Sequence, residues 1–311
     1  MEIEYIRHPF KDSSQYKVEP CVLALGFFDG VHTGHQKILQ HAKEIAEQKQ
    51  LIFGVMTFFP HPKEIFNPAQ APMTYLSPLS LKEEQFRSLG VEKLYVVQFT
   101  AEFSQLSPED FVKDYLIGLN CKHVVAGFDY HYGHKGNGSM KTLKQHGLGY
   151  FDVTTIGEIT YGEQKISSTA IRQLLAIGDV QSIPSYLGRH YEVHGKVERA
   201  SLFYSSDQFI SIRVEEAFRL PTNGMYDIMV ELDGEQFKGK CLQMRSRNDQ
   251  LFILIRLSTC FTNMSQKRVT IRWISFVMSE LDDSRDMETY FIQNEDPITI
   301  EDSFYNKYVI V

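Results

Sequence analysis

Two histidines three residues apart, His32 and His35, close the stretch Leu25-Gly26-Phe27-Phe28-Asp29-Gly30-Val31-His32-Thr33-Gly34-His35. Gly30 and Gly34 let the backbone come close to a ligand, and both imidazoles can point where the backbone donors point. The turn stands between an apolar run, Cys21 to Leu25, and a stretch from Gln36 to Gln50. In the latter Ile38, Leu39, Ala42, Ile45 and Ala46 recur with helical period. The order is therefore strand, glycine turn, helix. A helix start presents unpaired N–H groups and the positive end of the peptide dipoles, which makes it an anion site. The grouping suits a polyphosphate better than a lone phosphate or a metal. Two histidines beside a turn are also common as plain polar loop residues, and it is the strand–turn–helix setting that favours chemistry.

Four further patches fall on loops. In Thr57-Phe58-Phe59-Pro60-His61-Pro62, His61 is held between two prolines, which suits ligand positioning as well as an ordinary loop tip. In the segment from Ala126 to Lys135, Asp129 is a candidate to hold Mg²⁺, while the neighbouring aromatics can stack a flat ring system. A surface loop with a turn-forming Asp is the plainer account. In Ile166-Ser167-Ser168-Thr169-Ala170-Ile171-Arg172 the hydroxyls can grip phosphate oxygens, and Arg172 supplies a rigid fork of donors. A Ser/Thr helix cap explains those hydroxyls but not the arginine. Leu106 to Phe111 reads as a helix start with no chemical role. His32, His35, His131 and His134 could be taken for a metal-dependent hydrolase, but they lack the ligand pattern of a catalytic zinc.

The elements that must position these groups alternate over the first 180 or so residues. Strand patterns cover 21–25, 51–59, 94–99, 123–127 and 152–156; helical patterns cover 36–50, 79–88, 108–117, 140–146 and 169–176. Such alternation predicts a Rossmann-like, doubly wound parallel sheet with helices on both faces and ligands at the carboxyl ends of the strands. After Ser185-Tyr186-Leu187-Gly188-Arg189 the pattern turns to short strands near 191–197, 209–214, 225–231, 236–244, 250–257 and 268–277. In the last of these, Val269, Ile271 and Trp273 alternate with polar residues, and Asp233-Gly234 is a hairpin signal. A small antiparallel β-barrel is expected, with the acidic tail from Leu281 draped over it. The boundary is placed between 186 and 187, giving domains 1–186 and 187–311.

Composition sets bounds on function. The chain has 311 residues, 43% of them hydrophobic, and 39 acidic against 32 basic residues give a formal charge of −7. No Lys/Arg block interrupts that balance, so a nucleic-acid partner is not expected. The four cysteines, at 21, 121, 241 and 260, are far apart and lack metal spacing. Neither a signal peptide nor an apolar run long enough to span a bilayer is legible, so a cytoplasmic protein without a membrane partner is expected.

The spacing His32-x-Gly34-His35 after a first strand resembles the nucleotidyltransferase superfamily. The likeness then narrows. Gly-x-Phe-Asp-Gly-Val-His-x-Gly-His (26–35), Pro-His-Pro (60–62), Leu-Ser-Pro-Glu-Asp-Phe (106–111), Val-Val-Ala-Gly (124–127) and Ile-Ser-Ser-Thr-x-Ile-Arg (166–172) occur in a telling order. It is the order found in prokaryotic bifunctional riboflavin kinase/FMN adenylyltransferases, the FAD synthetases. The Tyr-Leu-Gly-Arg-x-Tyr junction (186–191) is similar to that family's entry into its kinase barrel. The resemblance implies transfer of AMP from ATP to FMN with release of pyrophosphate, aided by Mg²⁺. It implies that His32 and His35 hold the ATP phosphates and that the backbone of Gly26, Phe27, Phe28, Asp29, Gly30 and Gly34 cradles them. Ser167, Ser168, Thr169 and Arg172 would grip the pyrophosphate side. His61, Phe66, Asp129 and Tyr132 would border the flavin, with Asp129 placing the metal. ATP and FMN are the partners so implied, and no oligomeric state is specified.

The chain departs from the family at several points. Phe27 stands where the family usually has Asn, and Phe59 where it has an acidic residue before Pro-His-Pro. In the barrel, the family's Gly-rich loop and Pro-Thr-Ala-Asn motif are missing from Gly195 to Phe209, and no Glu occurs between Gln236 and Ser279 to act as the kinase base. Loss of metal holder, glycine cradle and base together predicts that kinase activity is gone. The alternatives are a bifunctional enzyme with replacement residues and a flavin or nucleotide sensor without turnover.

Overall fold

A computed structural model describes residues 1–9, 19–66, 73–202, 208–247, 250–258 and 266–278. The chain divides into two compact units: 1–174 with 182–189 and 217–219, and 175–181 with 190–216 and 220–311.

The first unit is built on a six-stranded, wholly parallel sheet ordered β1-β4-β3-β2-β5-β8. Its strands are β1 (Glu2–Ile6), β2 (Cys21–Leu25), β3 (Ile52–Phe59), β4 (Lys93–Gln98), β5 (Cys121–Gly127) and β8 (Asp152–Ile156). Between β5 and β8 runs a two-residue ribbon, β6 (His131–Tyr132) with β7 (Gly138–Ser139). After β8 comes another, β9 (Thr160–Tyr161) with β10 (Gln164–Lys165). The helices are α1 (Thr33–Lys49), α2 (Pro62–Phe66), α3 (Leu79–Ser88), α4 (Pro108–Phe111), α5 (Met140–His146), α6 (Ser168–Ile177) and α7 (Pro184–Leu187). Every residue of β2 is buried, because helices cover both faces and a continuous apolar run suits a strand with no wet side. Alternate residues feed two cores: Cys21, Leu23 and Leu25 join one, and Val22 and Ala24 the other. The sheet order reverses between β2 and β5, so their carboxyl ends flank a crevice.

Three local features differ from the sequence expectation. β1 was not legible, since Glu2 and Glu4 break the apolar pattern of a short edge strand. Both carboxylates face Lys93 Nζ, at 3.8 and 2.6 Å. The helix expected over 108–117 is α-helical only to Phe111 and widens into a π-turn over Val112–Ile117, with Tyr115 and Leu116 wholly buried. Ser107 caps its start, but the segment also contributes Leu106 and Phe111 to the wall of the site, so it does more than begin a helix.

The second unit is a closed antiparallel barrel ordered β11-β12-β15-β14-β13-β16. Its strands are β11 (Tyr191–Leu202), β12 (Gln208–Val214), β13 (Met225–Leu232), β14 (Glu235–Arg247), β15 (Gln250–Leu257) and β16 (Arg268–Met278). Ile210, Ile212, Ile228, Val230, Ile253, Ile255, Val269, Ile271 and Trp273 are buried, each alternating with more accessible neighbours. The β13–β14 hairpin turns at Asp233 (φ 52°) and Gly234 (φ 84°), as a two-residue turn with both central residues left-handed requires. The tail from Leu281 and Cys260 lie outside the described residues.

Candidate active site

At the carboxyl ends of β2, β3 and β5 lies a cavity of about 1050 Å³. Pockets for one small ligand run to roughly 300–1,000 Å³, so this one stands at the upper end of that range. Its wall includes Gly26, Phe27, Phe28, His32, Gly34 and His35 from the first loop and Ser167, Ser168 and Thr169 from the start of α6. His61, Phe66, Asp129 and Tyr132 also line it. Gly30, Asp29 and Arg172 do not; they stand behind the wall.

One end of the cavity is shaped by the start of α1. His32 is the N-cap, and its Nδ1 accepts the backbone N–H of His35 at 3.2 Å. That bond leaves the ring proton of neutral His32 on Nε2, where it can be donated. The two imidazoles stack at 3.6 Å, and Phe28 packs edge-on against His35 at 5.2 Å. Burial, opposed by Asp129 and assisted by Lys165 and Arg189, lowers the His32 pKa to about 4. Burial also holds His35 well below its usual value, with His32 and Lys82 adding to the effect. The pair is therefore uncharged at neutral pH, and His35 Nδ1 is buried without a partner among the described residues. A Cβ at Gly34 would come within 3.1 Å of the His32 ring, so only glycine leaves the stack undisturbed. The loop is also strained: Phe28 and Val31 have φ of 56° and 40°, held there by complete burial of both side chains.

Asp29 and Arg172 brace this loop from behind. Asp29 Oδ1 accepts the N–H groups of Leu76 and Ser77, at 2.9 and 3.1 Å. Its Oδ2 accepts from Arg172 at 2.7 Å, and Arg172 also donates to Thr74 O at 2.7 Å. Ser168 Oγ donates to the Asp29 carbonyl at 2.8 Å, tying the start of α6 to the turn. Ser167 Oγ accepts from Ala170 N at 3.1 Å, which makes it the cap of α6 and leaves its proton free to donate. Two helix starts thus face one cavity.

The other end is aromatic. Phe58, Phe99, Phe103 and Phe111 line it beside Tyr130 and Tyr132, and Phe66 is 56% exposed at its rim. Tyr132 hydrogen-bonds Thr142 and His146 through its hydroxyl, which fixes its ring near Phe111. His61 meets the Phe27 ring edge-on at 4.5 Å, and its Nδ1 accepts from Lys63 N. Burial, then Lys63, Arg172 and Lys82, lower the His61 pKa to about 4. Phe27 also stacks at 6.1 Å on Tyr75, whose hydroxyl bonds Glu64. Tyr75 went unnoticed in the sequence, as did Lys82, which lies against Phe27. The one signal for Lys82 was a charge four residues before Phe86, on the buried side of α3.

Asp129 pairs with Lys165 at 2.6 Å, and Lys165 also lies over Phe128. Among the described residues no three His, Cys, Asp or Glu side chains form a metal-binding group. His131 and His134 bond backbone carbonyls instead. Mg²⁺ commonly takes only one or two protein carboxylates together with substrate phosphates, and Asp129 and Glu158 in the cavity wall fit that need.

A parallel sheet that brings two helix starts and an uncharged histidine pair to one crevice marks an enzyme of the nucleotidyltransferase class. The sequence model of the FAD synthetase family matches residues 14–170. A bifunctional riboflavin kinase/FMN adenylyltransferase of Listeria monocytogenes is 37% identical over 90% of this chain and 91% of its own length. Its Bacillus subtilis counterpart is 35% identical over 90% and 91%. An FAD synthetase, also of Listeria monocytogenes, is 32% identical over 73% of this chain and 86% of its own. The chain belongs to the FAD synthetase family. In fold it is similar to a crystal structure titled a macrolide-efflux protein from Streptococcus pneumoniae, with TM-score 0.79, 23% identity and coverage of 94% and 97%. No described helix is long and apolar enough to cross a membrane.

Proposed function

We propose that the first unit catalyses FMN + ATP → FAD + pyrophosphate, and that the barrel has no riboflavin kinase activity. The observation that carries this is one cavity with two helix starts at one end and aromatic rings at the other. The FMN phosphate attacks the α-phosphorus of ATP, forming the P–O bond as the bond to pyrophosphate breaks. The nucleophile is already an anion, so no strong base is required. Catalysis is then positioning and charge stabilisation. His32 donates from Nε2 to a phosphate oxygen, the N–H groups at the starts of α1 and α6 hold the others, and Ser167 adds a hydroxyl. Arg172 acts through Asp29, as a brace of the cradle, rather than as a bare fork. The phenyl rings exclude water and sandwich the flavin, with His61 and Tyr132 at its borders. Mg²⁺, held by Asp129 and the phosphates, would supply neutralisation of the accumulating charge. The buried thiols of Cys21, Cys121 and Cys241, none of them in a disulfide, suit the reducing cytoplasm.

A second reading keeps both activities, favoured by the bifunctional names of relatives that span nine-tenths of the chain. Product analysis with ATP and Mg²⁺, supplying riboflavin or FMN separately, distinguishes them. FAD from FMN and nothing from riboflavin is expected. FMN formed from riboflavin would establish the second reading, and no product from either flavin would overturn both.

A further inference from the structure

The first unit buries a cation that the scheme above leaves idle. Lys82, on α3, is 0% exposed. Its Nζ donates to Phe27 O at 3.1 Å and to Thr57 Oγ1 at 3.3 Å, and lies 4.4 Å from the centre of the Phe27 ring. No carboxylate pairs with it among the described residues. Burying an ammonium without a counter-ion is costly, and hydrophobic replacement of such a group commonly stabilises a fold. The position calls for a return other than stability.

The peptide linking Phe27 to Phe28 suggests what that return is. In a trans peptide the carbonyl and the N–H point in opposite directions. With its carbonyl turned to Lys82, the Phe28 N–H faces away, and it bonds no described residue. Phe27 and Phe28 both line the cavity, in the loop that leads into the start of α1. We propose that Lys82 is a positioning residue: it anchors and polarises the Phe27–Phe28 peptide so that its N–H receives the polyphosphate of the nucleotide. This rests on the adenylyltransferase reading. Thr57 Oγ1 also donates to Phe27 O, at 3.0 Å, so an uncharged side chain at 82 does not orphan that carbonyl.

The charges around Lys82 bear on its titration. Burial lowers its pKa to about 8, against the pull of Asp29 and of its neighbour Glu83. Asp29 is already committed to Arg172, and His35 and His61, which also feel Lys82, stay uncharged above neutrality. Lys82 is thus the group in this neighbourhood whose charge changes between pH 7 and 9, and loss of its proton should weaken the anion site.

The test uses the full chain: ATP binding with Mg²⁺ by calorimetry at pH 7 to 9, together with FAD formation and thermal melting. Lys82→Met is expected to weaken ATP binding at pH 7 by about tenfold to a hundredfold, the scale of a charge-assisted contact, without lowering the melting temperature. Lys82→Arg, which keeps the charge, should recover most of that affinity. Wild-type affinity should fall as pH rises from 7 to 9, while that of Lys82→Met stays level. ATP affinity of Lys82→Met within about twofold of wild type, or a wild-type profile flat over that range, overturns the proposal. Should Lys82→Met not fold, the wild-type profile decides alone. A wild type that binds ATP but makes no FAD overturns the adenylyltransferase reading and still lets the affinities judge Lys82. A wild type that does not bind ATP overturns both.

Discussion

The two units handle charge in opposite ways. The first one buries it: Lys82 and Lys93 are inside, Asp29 is buried against Arg172, and His32 is forced neutral. In the barrel, Val193, Ile212, Ile253, Ile271 and Trp273 fill inward positions. Its ion pairs, Arg272 with Glu192 and Glu231 and Lys240 with Asp227, lie on partly exposed side chains. Buried polar groups destabilise unless every partner is found, so a fold that keeps many of them at strand ends has kept them for another purpose. The contrast is in keeping with the adenylyltransferase reading proposed for the first unit, while the barrel's described inward positions are mainly apolar, with His194, Gln208 and Ser211 buried among them.

The sharpest way to break that contrast is to truncate the barrel's largest fully buried side chain. Trp273→Ala should cost about 3–5 kcal/mol of barrel stability in urea unfolding, through a cavity that the closed sheet cannot collapse. A loss under about 1 kcal/mol would mean that the barrel is loosely packed and that its role needs another account. His35→Ala acts on the other unit. It should lower the rate of pyrophosphate release with ATP and FMN by about 10²–10³, the usual effect of removing one phosphate-facing donor. A folded variant with full turnover would remove His35 from the site.

A smaller effect, on pH, sharpens the same comparison. His32 and His61 have folded pKa values lowered to about 4, so between the ordinary 6.5 and 4 the unfolded chain binds more protons. Stability of the first unit is therefore full above about 6.5 and declines as pH falls towards 4. In the barrel, Asp227 is held below its ordinary range by its hydrogen bond to Lys240, and Glu231 by that to Arg272. Those contributions are present above the ordinary carboxylate range and are lost only as pH falls through it. Melting followed from pH 7 to 4 should show the first unit weakening before the barrel. Equal shifts for both would contradict the neutral-histidine description.

Much of this was legible in the sequence because periodicity reports burial directly. Cys21–Leu25 reads as a strand with no wet face, and Val269, Ile271 and Trp273 read as one inner face of a barrel; both are so in the structure. The strand β1 was hidden because its glutamates meet Lys93, which is 89 or more residues away in sequence. The same limit applies to the site. Its histidines, hydroxyls and glycines announce themselves by local spacing, whereas Tyr75 and Lys82 look like ordinary helix-flanking residues until Phe27 is folded against them.

The sequence by itself determined the alternation of elements, the change to short strands near residue 190, and the residue types around the anion site. These depend on neighbours a few positions apart, and backbone geometry repeats over that range. Only the tertiary structure decided which of those groups face the cavity and which stand behind it. Arg172 reads as a phosphate fork in the chain, yet its guanidinium is committed to Asp29, 143 residues earlier. The spacing of His32 and His35 leaves their charge state open, and it is burial that makes them neutral. Charge state and direction are set by what surrounds a side chain, and that comes from parts of the chain remote in sequence.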